Sequence, residues 1–143
     1  MTPTLIGRWQ TRILLLTLVG FPITLPFSMG IVGLGASSVF GLVLLYVLIF
    51  GLLWDLLYNT LQQFRWDRDW PGALQLFAGI GEGIFLVLAI KTVGLPGIAR
   101  DELLLGTFFW HYSCVWLGVF LASQSLMRIL FPRWRFRGGR WLG

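Results

Sequence analysis

The chain has 143 residues, 57% of them hydrophobic and 12% charged, with a net charge of +5 and a pI near 10.4. In an ordinary soluble domain about a quarter of the residues are charged, and at this size roughly a third of the unfolded surface stays in water after folding, so a soluble fold could not hide this much apolar surface. The basic residues sit in short stretches between long apolar runs, which points to anionic lipid headgroups as partners and away from nucleic acid.

A membrane-spanning helix needs about 20 mostly apolar residues. Four segments qualify: about 13–34, 37–59, 71–90 and 103–130. The chain therefore reads as an all-α integral membrane protein, a four-span transmembrane helical bundle over 1–130 followed by a basic, aromatic tail over 131–143. The first run is too long for the apolar core of a signal peptide and is broken by Pro22 and Pro26, so it is read as a retained span that kinks at the prolines. Gly30 to Ser38 is rich in small residues and predicts a tight turn into span two. Pro71 suits the first turn of span three, and Leu95-Pro96-Gly97 marks the next reversal.

Four spans put both termini and the 60–70 loop on one side, with Arg8, Arg12, Arg65, Arg68, Arg128, Arg133, Arg135, Arg137 and Arg140, against Lys91 and Arg100 on the other. Basic loops stay cytoplasmic, so both ends are expected there, in an inner membrane of bacterial type or a thylakoid. Trp9, Trp54, Trp66, Trp70, Trp134 and Trp141 fall near the same boundary, where an indole anchors well.

An ionisable group at membrane depth is a functional candidate by default. Glu82 lies about 16 Å past Pro71 at 1.5 Å per residue, close to the midplane, and His111 lies at nearly the same depth about 12 Å past Leu103. Equal depth predicts a Glu82–His111 hydrogen bond between spans three and four, with Gln75 two turns from Glu82 on the same face. That intramembrane polar group either ties helices together or serves as a proton or ion site. No cofactor is predicted, and a lone His111 is weak support for a tetrapyrrole or metal ligand. Gly79 and Gly83 flank Glu82 at a spacing that would admit a neighbouring backbone.

At the inner end of span two, Asp55, Tyr58, Asn59 and Gln62 recur at helical spacing and make a polar face. The segment that follows alternates Arg65, Trp66, Asp67, Arg68, Asp69 and Trp70, with Arg65 and Arg68 available to Asp55, Asp67 and Asp69. Such a loop is either an interfacial staple or, since Trp and Arg dominate binding hot spots, a cytoplasmic docking surface. Arg128, Arg133, Arg135, Arg137 and Arg140, interleaved with aromatics, predict a tail lying on anionic lipid. The single cysteine, Cys114, excludes an intramolecular disulfide and any zinc site built on several cysteines. No G-x-S-x-G, H-E-x-x-H or phosphate-loop pattern occurs, and no catalytic residue is assigned.

The chain is thus expected to be a non-enzymatic accessory or scaffold subunit of a larger membrane complex, or a homo-oligomer, docking through the Trp/Arg-rich loop and small-residue helix faces. The alternative is a small proton- or ion-coupled transporter or channel using Glu82 and His111.

Overall fold

The computed structural model describes residues 2–32 and 37–143, and the described residues hold four helices long and apolar enough to cross a membrane. They run Leu5–Ser28, Val39–Gln63, Gly72–Thr92 and Leu105–Leu130, and are called the first to fourth helices below. The middle of the small-residue turn predicted at 30–38 lies outside the described residues; its flanks meet, with Ser37 N donating to Ser28 O. Helices of this length and apolarity number four among the described residues, as the sequence predicts, which suggests a multi-pass membrane protein.

The first helix differs most from expectation. It begins eight residues earlier than its apolar run, so Arg8 and Arg12 lie inside it and not at its flank. Thr4 explains the early start: it is extended, and its hydroxyl accepts from Gly7 N, satisfying one of the free amides at the helix end. Further along, the coil widens to a π turn over Leu16–Gly20, where Phe21 N reaches back to Leu16 O. This carries the chain past Pro22, which lacks an amide and would crowd the carbonyl four residues before it.

The other helices follow from simpler causes. The second has no proline in an unbroken apolar run. The third starts directly after Pro71 and closes at Gly94, whose φ of 75° a side chain would strain. Leu95 and Ile98 then pair across Pro96-Gly97, with Gly97 at φ 86°, the arrangement of a turn that needs glycine at its third position. Lys91 donates to the carbonyls of Arg100 and Leu103, tying this connection down.

Each helix packs on its neighbours in chain order, and the fourth closes the ring against the first. The first and third therefore face each other across the centre. One half of the bundle is filled by an apolar core that includes Phe27, Phe40, Val43, Leu86, Ile90 and Phe108. At the other end, Leu15, Ala122, Met127 and Trp134 form a smaller cluster.

That second cluster exists because the tail folds back. Thr4 N donates to Gly138 O at 2.8 Å, Trp134 Nε1 to Thr11 Oγ1 at 2.9 Å and Trp141 Nε1 to Gln10 O at 3.1 Å. The tail thus braces the first helix, where its indoles and left-handed glycines match the polar face of residues 4–11. Its arginines still point outward: Arg128, Arg133, Arg135, Arg137 and Arg140 are all exposed. These contacts, with Arg8 over the Trp70 ring at 4.4 Å, place both termini and the 64–71 loop at one end of the bundle.

Candidate functional site

Arg12 crosses the centre of the ring from the first helix and meets the carboxylates of the second and third helices. Its Nε and Nη2 donate to Asp55 Oδ2 and Oδ1 at 2.8 and 2.9 Å. Its Nη1 and Nη2 donate to Glu82 Oε2 and Oε1 at 2.9 and 3.0 Å. The planar fork of the guanidinium makes two bidentate pairs at once, which a lysine could not do. Tyr58 OH adds a bond to Glu82 Oε1 at 3.0 Å. Side-chain exposure is 19% for Arg12, 4% for Asp55 and 10% for Glu82, so the three charges are largely withdrawn from solvent.

Local sequence makes room for this. Gly51 lies one turn before Asp55, and a Cβ there would stand 2.3 Å from Arg12 Nη1. Asp55, Tyr58 and Gln62 share the buried face of the second helix, so the polar stripe predicted at its inner end faces the bundle. On the third helix Gly79 and Gly83 admit not a backbone, as their spacing suggests, but the rings of Trp116 and Tyr112: a Cβ would stand 1.4 Å from Trp116 Nε1 and 2.6 Å from the Tyr112 ring. The reason is that the fourth helix presents large aromatics at the contact, and Tyr112 also donates to Gly79 O.

Arg12, Asp55, Tyr58, Glu82, Tyr112 and Trp116 line a cleft of about 230 Å³ between the helices. Arg8, Trp70, Gln124, Arg128 and Arg135 stand at its mouth, at the end that holds both termini. Arg12, Asp55, Glu82 and Tyr112 line its depths, with Glu82 about 15 Å along the third helix from Gly72. One wall is polar, with Tyr58, Gln75 and Glu82; the fourth helix supplies an apolar one, with Val115, Trp116, Val119 and Phe120. Beyond Tyr112 lies the packed core.

The expected Glu82–His111 bond is replaced. Glu82 takes Arg12 and Tyr58, while His111 Nε2 lies 2.9 Å from Thr24 Oγ1, with its ring against Phe27 and Phe40. Equal depth did not ensure equal facing, and a carboxylate at this depth is held by the nearest cation. The Thr24 hydroxyl proton is directed to Gly20 O at 2.8 Å, which assigns His111 the donor role at Nε2. His111 Nδ1 then has no partner among the described residues. Gln75 is likewise separate from Glu82: it donates to Ser123 Oγ at 3.0 Å and accepts from Gln124 Nε2 at 3.1 Å.

The predicted docking loop divides. Asp55 belongs to the buried cluster, not to the loop, and Asn59 is half-buried on the second helix. Arg65 pairs with Asp67 at 3.0 Å, and this hydrogen bond, first among the causes, holds the Asp67 carboxyl below the usual range. Asp69 N donates to Asp67 Oδ1, and Arg68, at φ 50°, turns the chain while its carbonyl accepts from Gln62. Trp70 tilts against Tyr58 beneath Arg8, whereas Trp66 is 95% exposed. Arg65–Asp67 is the loop's own staple, and Trp66 is its outward face.

No group of three or more metal-ligating side chains occurs among the described residues. Reasoning from sequence missed Arg12, counted as a flanking charge, and Gly51; a glycine four residues before an apolar-helix aspartate was the available sign. Comparison of the chain with family models, curated proteins and solved structures finds no match.

Proposed function

We propose that the protein is a non-enzymatic subunit of a larger membrane assembly, with both ends cytoplasmic, whose bundle receives a ligand in the cleft. The observation that carries this reading is Arg12 bridging the first, second and third helices deep in a cleft that opens at one end and stops at the aromatic core. A cleft closed on one side suits binding better than conduction. The floor carboxylates are each held by Arg12, an arrangement that fixes charge and leaves neither as a free base. Around the mouth, Phe64, Trp66 and Phe136 are 83%, 95% and 86% exposed, beside outward arginines, which suits partner or headgroup contact. The bias of basic residues to this end supports its cytoplasmic placement.

Extraction of native membranes in mild detergent tests the assembly: a stoichiometric partner or a defined oligomer should accompany the chain, and a clean monomer contradicts the proposal. The sharing of Glu82 between Arg12 and Tyr58 favours a second reading, a proton- or ion-coupled transporter in which Glu82 changes partners on protonation. Glu82→Gln should then abolish flux in liposomes while the fold persists; unchanged flux removes that reading.

A further inference from the structure

The charge of the cleft wall indicates what it receives. Four arginines line it, Arg8, Arg12, Arg128 and Arg135, against two carboxylates, Asp55 and Glu82. Both carboxylates are taken by Arg12 in the depths, so the three arginines toward the mouth have no ion pair among the described residues. Arg8 is fixed there by the Trp70 ring and by its Nη2 bond to Gln62 Oε1 at 2.7 Å, yet its Nε is buried without an acceptor. A buried donor left unmade costs the molecule its hydration and gains nothing back, unless an acceptor arrives from outside. Among the described residues the Arg128 side chain bonds only the neutral Gln124, and Arg135 is exposed and lines the same cleft. Below this ring of cations, the wall of Val115, Trp116, Val119 and Phe120 offers apolar contact, facing Gln75 and Tyr58 across the gap.

We infer that the cleft takes an amphipathic anion, a phosphate or carboxylate carried on a hydrocarbon stem, which enters from the arginine-rich end. The anionic group sits among Arg8, Arg128 and Arg135, where arginine forks match its oxygens and excess positive charge draws it in. The stem lies along the apolar wall of the fourth helix. A volume of about 230 Å³ is just below the usual range for small-molecule sites, so it holds the headgroup and the first few carbons, not a whole two-chain lipid. The inference rests on the binding role proposed above and names the ligand class of the same cleft.

The test uses the full chain in phosphatidylcholine nanodiscs, with quenching of tryptophan fluorescence by a brominated alkyl phosphate as readout, since Trp70, Trp116 and Trp134 line the cleft. Saturable quenching is expected, weakened about tenfold in Arg128→Gln/Arg135→Gln by the loss of charge-assisted contacts. Both side chains are exposed, so the variant should fold as the parent does. A brominated alkyltrimethylammonium of the same length should show no saturable component. Loss of the signal in nanodiscs containing phosphatidylglycerol supports the inference and identifies a bilayer lipid as the source of the anion; retention supports it with a free single-chain anion as source. If inorganic phosphate alone competes as well as the alkyl phosphate, the hydrocarbon stem plays no part and the inference is overturned. Equal quenching by the cationic amphiphile, or no change in the double variant, overturns the ligand class while leaving a binding cleft. Absence of saturable quenching by either amphiphile overturns both the ligand class and the binding role.

Discussion

A guanidinium within an apolar bundle must find counter-charges, and Arg12 finds them 43 and 70 residues away, at Asp55 and Glu82. Ion pairs withdrawn from water gain little over apolar packing, but removing one partner strands the others. Arg12→Met should therefore lower unfolding stability by about 3–5 kcal/mol, and Arg12→Met/Asp55→Leu/Glu82→Met should recover much of that loss. Thermal denaturation in detergent reads both; a triple variant no more stable than the single one contradicts the account. Glu82 was identifiable in the sequence as a charge at membrane depth. Its partner was not, because depth along a helix says nothing of which way a side chain faces, and Arg12 stood at the edge of an apolar run. Outside the spans, Arg65 holds Asp67 below the ordinary carboxylate range. A depressed folded value means the Arg65–Asp67 contact persists as pH falls through the ordinary range and is lost only through the lowered one. Carboxyl titration followed by NMR should place Asp67 below an unpaired aspartate, and Arg65→Gln should bring it back up.

Among the helices, the first depends most on partners outside its own sequence. Its early turns, from Leu5, are held by Thr4 at the start and by the returning tail through Thr11, Gln10 and Gly138. Trp134→Ala removes a buried indole and its bond to Thr11, and should cost about 3–5 kcal/mol. Hydrogen exchange should show the loss first over residues 5–12, and protection unchanged there would argue against a bracing tail. On the third helix the glycines matter through what rests on them. Gly79→Ala should destabilise by about 1–3 kcal/mol through overpacking against Trp116, and Trp116→Leu in the same chain should relieve most of it. Hydropathy located the second, third and fourth helices to within three or four residues, because long apolar runs with clear breaks leave few alternatives. It misplaced the first, where the helix runs through two arginines that pair inside the bundle. Alternating aromatics and arginines in the tail looked alike whether they lay on lipid or against a helix.

The bundle as a whole is divided between a packed half and an open half. Phe27, Phe40, Phe108 and Tyr112 fill one end, while the charged cluster and the cleft occupy the end where both termini and the 64–71 loop meet. The number of helices among the described residues, and with it the shared end of the termini, was legible from hydropathy. The cleft was not, since it arises where the first and third helices face each other without close packing, a matter of side-chain volume across the ring. The side from which it is reached can be measured by thiol labelling in sealed vesicles, with Cys114 replaced by serine. Trp66→Cys marks the exposed loop, Gln75→Cys the cleft wall and Leu117→Cys the outer face of the fourth helix. A membrane-impermeant thiol reagent should modify Trp66→Cys and Gln75→Cys from the same side only, and Leu117→Cys from neither. Modification of Gln75→Cys from the side opposite Trp66→Cys would contradict the account.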